Sequence, residues 1–332
     1  MKDKILTMLK EDTNSFISGE KISEELGVTR AAVWKNINKL KDEGYVIGSI
    51  SKNGYKLVSS PDLLTSHEVS DFLNTKYIGR NIIHFDSIDS TNTKAKEVAS
   101  SGAEAGTIVI GEEQKGGRGR FDRKWCSPKY KGIWMSVILR PNIDPINAST
   151  ITLIGAAAVY RALKDFNIKT EIKWPNDIIL NNKKICGILT EMSSELNQIN
   201  YIVIGIGVNV NISIEEFPKD IQEKATSLKI EAGKSLSRQR LTAAILNHFE
   251  KLYEEFILEN NLSSTIDICR KNSYLIGKTI ELYNRGQLIS AKAVDLSDEG
   301  LLVIENKDGK TEKVISGEVT LHSWHGDISS TT

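Results

Sequence analysis

The sequence predicts an α+β protein of three units in series: an N-terminal winged helix-turn-helix, a central mixed α/β domain with a large β-sheet, and a small C-terminal β-barrel. Three observations carry that prediction. Residues 1–58 show helical apolar spacing that ends in an Asn53-Gly54 hairpin signal. Residues 67 to about 272 mix strand-like apolar runs with two long helical patterns. From Lys278 onward apolar residues alternate at period two between turn signals, as short antiparallel strands do. The expected boundaries are 1–60, 66–272 and 273–325.

In the first unit, Ile5, Leu6 and Leu9 share one face of a first helix, and residues 20–26 form a short second one. Gly27 is a helix stop, and Thr29 caps a third helix running to about Glu43. A short helix, a glycine turn and a longer helix, spanning about residues 19–38, have helix-turn-helix spacing. Residues 45–58 then fold as two strands around Lys52-Asn53-Gly54, a wing. Thr29, Arg30, Ala31, Lys35, Asn36 and Lys39 are the candidate DNA contacts: the alanine lets the helix approach closely, and the others reach phosphates or base edges. Trp34 is read as a packing residue of that helix. Ten basic against eight acidic side chains through residue 60 make this unit only mildly positive. A three-helix module that contacts protein is the alternative. A helix-turn-helix of this size normally works as a dimer on two half-sites, so dimerisation is expected.

Charge balance, cysteines and histidines set limits on function. Lys+Arg and Asp+Glu are 43 each, so no global field draws nucleic acid or membrane. Cys126, Cys186 and Cys269 are odd in number and far apart, which suggests a reduced, cytoplasmic protein. Cys186 is read as a small buried residue. His67, His84, His248, His322 and His325 share no ligand spacing, so no metal site is expected. The start of the chain is not an apolar signal core, and no run is expected to approach the roughly 18–20 apolar residues of a membrane span.

In the central unit, 108–112, 133–139, 171–174, 185–192 and 201–208 read as strands, and 151–166 and 241–259 as helices. Thr65 and Glu68 have capping-box spacing at the start of another helix. Five motifs stand in order. Ser90-Thr91-Asn92 caps a helix after a strand at 82–85. Gly116-Gly117-Arg118-Gly119-Arg120 follows Gln114 and precedes Trp125; glycines let backbone N–H groups approach a ligand, and two arginines neutralise phosphate oxygens. Read alone, that loop fits a mobile basic surface equally well. Lys173-Trp174-Pro175-Asn176-Asp177 gathers a lysine, an amide and a carboxylate at a turn, because the residue before proline avoids the helical region. Lys184 enters an apolar strand, either simply exposed or aimed at an anion. Gly205-Ile206-Gly207-Val208-Asn209 ends another strand, where glycines let a ligand rest against the sheet.

Together these motifs resemble the biotin–protein ligase family, in the form that carries a helix-turn-helix and acts as biotin-operon repressor; the likeness spans essentially the whole chain. The resemblance implies a ligase domain with a large sheet and an SH3-like C-terminal barrel. It implies that Ser90, Thr91, Asn92, Gln114, Gly117, Gly119 and the arginines of the loop bind biotin. Arg118 and Arg120 would fold over biotin and the adenylate, and Lys184 would contact the biotin carboxylate and α-phosphate. Trp125, Asn176 and Asn209 would wall or contact the nucleotide. Catalysis would rest on Lys184, Arg118, Arg120 and Lys173, with Asp177 orienting an acceptor lysine. The family loop carries further basic residues after its second arginine, where this chain has Phe121 and Asp122. Biotin, ATP and Mg²⁺ are the implied small molecules. A biotin carboxyl carrier protein, operator DNA and a second copy of the chain in the adenylate-bound state are the implied partners, with no membrane. The rival readings are a biotin-sensing transcription factor without ligase activity and a lipoate or octanoate ligase on the same core.

Overall fold

The computed structural model describes residues 1–12, 14–50, 53–195, 198–284, 287–315 and 317–321. Lys52 of the expected wing turn, the Arg285-Gly286 turn, His322 and His325 lie outside the described residues.

The first unit consists of α1 (Lys2–Glu11), α2 (Gly19–Leu26), α3 (Arg30–Asp42) and the antiparallel pair β1 (Val46–Ile50) and β2 (Gly54–Ser59). Gly27 and Thr29 act as read, and Ser18 adds a cap at the start of α2. Ser18 and Thr29 accept from the N–H groups of Lys21 and Ala32, which satisfies orphan donors at the starts of α2 and α3. Gly27 ends α2 in the left-handed region at φ 63°, where a side chain would be strained. Ile5, Leu6, Leu9, Ile22, Val33, Ile37, Leu40, Tyr45, Ile47 and Leu57 close a separate small core.

The chain then forms α4 (Ser66–Ser70), β3 (Ile82–Phe85), α5 (Thr91–Ser100), β4 (Ile108–Gly111), β5 (Gly132–Leu139), α6 (Ala148–Asp165), β6 (Glu171–Lys173), β7 (Asp177–Leu180), β8 (Lys183–Glu195), β9 (Gln198–Asn209), α7 (Leu228–Ala232), α8 (Arg238–Glu259) and α9 (Ser263–Lys271). The strands make one seven-stranded sheet, ordered β3-β4-β5-β9-β8-β7-β6. Only β3 and β4 run parallel. Side chains alternate across a strand, so each strand feeds two faces. On β9, Ile202, Ile204, Ile206 and Val208 enter the main core under α6 and α8. Val203 lies on the other face, beneath Ala95 and Ala99 of α5. Gly205, Gly207 and Asn209 continue that second face.

The C-terminal unit is a small antiparallel sheet of β10 (Thr279–Asn284), β11 (Gln287–Leu296), β12 (Leu302–Glu305), β13 (Thr311–Val314) and β14 (Glu318–Leu321), ordered β13-β12-β11-β10-β14. Trp174 donates its indole N–H to the Gly300 carbonyl at 2.9 Å, which ties this unit to the central sheet.

Two expectations change. The capping box at α4 does not form: the Glu68 N–H donates to the Thr65 carbonyl at 3.1 Å rather than to its hydroxyl, and the Glu68 carboxylate is held elsewhere. The Tyr45 hydroxyl and the Lys10 ammonium, both from the first unit, each lie 2.8 Å from it. Lys10 also reaches Asp71, and His67 lies 3.1 Å from Asp3, so α4 docks the first unit. Secondly, among the described residues one helical stretch, Pro145–Asp165, is long and apolar enough by length and composition to span a bilayer, at mean hydropathy 1.2. It is 67% buried, as befits a core helix packed between the sheet and α8.

The linker is also pinned. Arg238, fully buried, binds the Asp62 carboxylate at 3.0 Å and its carbonyl, the Glu112 carboxylate at 2.8 Å and the Gly132 carbonyl at 3.0 Å. Glu112, also fully buried, accepts from the Leu64 N–H at 2.7 Å and meets His84 Nε2 at 2.9 Å. Burial alone would raise the Glu112 carboxyl, but the His84, Arg238 and Leu64 contacts carry it below the usual range.

Candidate active site and nucleic-acid interface

The second face of the sheet carries the central motifs. The register aligns Ser136 of β5 with Gly205 of β9, and Gly205 with Leu189 of β8; two pairs further along, on the same face, Trp134 meets Gly207, and Gly207 meets Gly187. Gly187, Gly205 and Gly207 therefore form a floor without side chains. A Cβ at Gly205 would overlap the Asn92 carbonyl oxygen, and one at Gly207 would lie 2.6 Å from Trp125 Nε1. The floor is glycine because these groups lie directly on it.

At one end a buried polar set surrounds Ser90-Thr91-Asn92. Ser90 caps α5 by accepting from Thr93 N–H at 3.4 Å. Gln114 Oε1 accepts from the Thr91 N–H and hydroxyl at 2.9 and 3.0 Å, and Gln114 Nε2 donates to Ser127 Oγ at 3.0 Å. Ser136 donates to Asn92 Oδ1 at 2.6 Å and lies 2.8 Å from Thr91 Oγ1. Asn92 spends its amide hydrogens on the Leu189 carbonyl and on Glu191, which in turn is bound by Lys96 at 2.6 Å. Asn92 thus orients its neighbours. Ser127, Ser136, Lys96 and Glu191 escaped the sequence reading, because isolated serines and charges on strands carry no motif; only the period-two alternation from Gly205 through the register reaches Ser136.

At the other end the cations gather. Lys184 Nζ lies 2.7 Å from Asp177 Oδ1 and 5.2 Å from the centre of the Trp125 ring. Arg120 donates to Asn176 Oδ1 and to the Gly317 carbonyl, each at 3.3 Å, so the loop bridges the turn at 173–177 and the C-terminal unit. Asn176 also donates to the Ile188 carbonyl at 3.0 Å. Lys173 stands opposite Asp177 in the β6–β7 register. Asn209, 2% exposed, donates to the Thr226 carbonyl at 3.1 Å and fixes the segment that follows β9. Trp125 rests on the glycine floor and packs on the Trp134, Ile212 and Phe217 cluster, as do Ile221 and Ala225 of that segment.

The loop between the two ends is a folded strap. Trp125 N–H bonds to the Gly117 carbonyl and Gly119 N–H to the Arg123 carbonyl, at 2.8 and 2.7 Å. Gly117 packs so closely on the Trp125 carbonyl and Ser127 hydroxyl that a Cβ would meet them at 2.6 and 2.9 Å. Arg118 donates to Thr93 Oγ1 at 2.8 Å. Phe121 and Asp122, where this chain leaves the family pattern, both take the left-handed region, φ 56° and 53°. Phe121 is 65% exposed with Arg120 over its ring. Cys186 is fully buried, and burial raises its thiol pKa, against a nucleophilic role.

On the DNA-reading unit, α3 buries Val33, Ile37 and Leu40 and exposes Ala31, Lys35 and Lys39. Arg30 is exposed and meets Glu20 at 2.5 Å. Asn36 donates to the Ala32 carbonyl at 2.8 Å and to Met1 Sδ. Trp34 corrects the sequence reading: it is 60% exposed rather than packed, because it falls about 100° round the helix from the buried stripe.

A glycine floor with a polar reader at one end, cations at the other and an arginine strap between them defines an adenylate-forming ligase site on a protein that also carries a DNA-reading module. Comparison with known proteins agrees. Residues 84–209 match the Biotin/lipoate A/B protein ligase family, 2–56 an HTH domain and 275–321 the Biotin protein ligase C terminal domain. The chain is 36% identical to the bifunctional ligase/repressor BirA of Bacillus subtilis over 97% of its own length and 98% of that protein's. It is 28% identical to the same-named protein of Escherichia coli, over 93% and 94%. A biotin protein ligase from Aquifex aeolicus solved in complex with biotin and ATP superposes with a TM-score of 0.64 at 28% identity, over 73% of this chain and 98% of that one. The chain belongs to the biotin–protein ligase family, in its bifunctional ligase/repressor branch.

Proposed function

We propose that this chain joins biotin to ATP as biotinyl-5′-AMP, passes the biotinyl group to a lysine of a biotin carboxyl carrier protein, and represses biotin genes as an adenylate-bound homodimer on operator DNA. The observation that carries the reading is the two-ended floor: Thr91, Gln114 and Ser127 offer fixed donors and acceptors to a ureido ring, and Lys184 and Arg120 stand at the opposite end for carboxylate and phosphate. Ser90 and Asn92 support the reader from behind, Gly117 and Gly119 shape the strap, and Asn176, Asn209 and Trp125 flank the nucleotide.

The biotin carboxylate attacks the α-phosphorus and pyrophosphate leaves. Two anions meet in this step, so Lys184, Arg118, Arg120 and Lys173 stabilise the developing oxyanions. Mg²⁺ enters with ATP as part of the substrate; the nearby carboxylates Asp177 and Glu191 are already held by Lys184 and Lys96, so no protein cage is set aside for it. The strap then covers the anhydride against water. Transfer of Lys184 from Asp177 to the adenylate frees that carboxylate to orient the incoming acceptor lysine, which attacks the carbonyl and releases AMP.

In this reading residues 1–60 bind DNA through Thr29, Arg30, Ala31, Lys35, Asn36 and Lys39, residues 66–272 carry the chemistry and residues 273–325 clasp the strap, in a cytoplasmic protein. Incubation with biotin, ATP, Mg²⁺ and the carrier domain tests it: the acceptor gains the mass of one biotinyl group, and an unmodified acceptor refutes it.

A further inference from the structure

Trp34 stands outside the small core of the N-terminal unit. Its indole is 60% exposed, on a helix whose buried stripe is Val33, Ile37 and Leu40. Helical side chains lean toward the N-terminus, so Trp34 covers the turn of Arg30 and Ala31, where a recognition helix first meets base edges. Around it α3 carries Arg30, Lys35, Lys39 and Lys41 against one acidic residue, Asp42. A positively charged face suits a polyanion rather than an ordinary protein surface. An indole at its centre cannot bind phosphate as a cation does, and its apolar edge matches one group that the major groove offers: the 5-methyl of thymine. Ala31, one turn before it, lets the helix approach closely enough for that contact.

We propose that Trp34 is a specificity-determining residue that reads a thymine methyl group in each operator half-site, while Arg30, Lys35 and Lys39 supply sequence-independent attraction. The inference rests on the operator-binding reading above, and the experiment separates the two. Full-length protein, with biotin and ATP present, selects duplexes from a randomised DNA library. The wild type, Trp34→Ala, Trp34→Phe and Lys35→Ala with Lys39→Ala are compared.

Trp34→Ala is expected to bind the wild-type consensus at least tenfold more weakly and to select a consensus that loses one A·T position per half-site. Trp34→Phe retains most of the preference. Deoxyuridine in place of that thymine weakens the wild type several-fold and leaves Trp34→Ala unaffected. The thermal midpoint of Trp34→Ala stays at the wild-type value, which a packing role would not allow. The double lysine variant weakens all duplexes alike and lowers the salt slope. If the lysine variant behaves so but Trp34→Ala keeps the wild-type consensus and affinity within twofold, the Trp34 inference fails and operator binding stands. If wild type selects no sequence at all, the operator reading fails and takes the inference with it.

Discussion

Arg238→Ala tests whether the linker between the DNA-reading unit and the sheet is held by a buried charge network. The Arg238 and Glu112 side chains are both fully inaccessible, and Arg238 makes bonds to Asp62, Glu112 and Gly132. Removal of one partner leaves Glu112 buried with His84 and the Leu64 N–H but without its permanent cation. Breaking a buried pair in this way costs about 3–5 kcal/mol. Taking about 4 kcal/mol, the folded-to-unfolded ratio of the central domain falls roughly a thousandfold, at about 1.4 kcal/mol per factor of ten. Denaturant unfolding followed by tryptophan fluorescence reads this as a lower midpoint at unchanged slope. The acid limb gives a second reading. Glu112 titrates below its ordinary value of 4.5, so it contributes stability above that pH and loses it as pH falls through the native pKa. Without Arg238 the native pKa rises, and acid unfolding begins at higher pH. A denaturant midpoint equal to the wild type, with an acid transition at the same pH, refutes the argument.

Other perturbations address the site. Lys184→Ala removes a preorganised cation from the developing oxyanion and should lower the rate of biotin-dependent pyrophosphate release about 10²–10³-fold; near-normal release removes Lys184 from the chemistry. Gly205→Ala forces Asn92 off the floor and disturbs Ser136 and Thr91, so the KM for biotin should rise about tenfold, the effect of roughly one lost hydrogen bond to the ligand, with the KM for ATP little changed. An unaltered biotin KM would show that the polar set does not read biotin. Sedimentation with and without biotinyl-5′-AMP should show tighter self-association with the ligand, through ordering of the 114–124 strap; identical association in both removes the link between strap and dimer.

The sequence by itself determined the parts whose cause is local. Ser18, Gly27 and Thr29 set the helix ends of the DNA-reading unit because caps act within three or four residues. Alternation fixed which β9 residues face the core, and the ordered motifs were enough to identify the family. Local signals missed β7 and β14, short strands that exist through their pairing with β8 and β10. Only the tertiary structure decided that Gly187, Gly205 and Gly207 make one floor, since strand register is set by packing between segments distant in sequence. It also turned Glu68 from a helix cap into a docking point for Tyr45 and Lys10, because a partner 23 residues away in the chain outcompeted the local N–H. Trp34 shows the same limit from the other side: its sequence spacing fits packing, but with Val33, Ile37 and Leu40 filling the small core the indole is left facing outward.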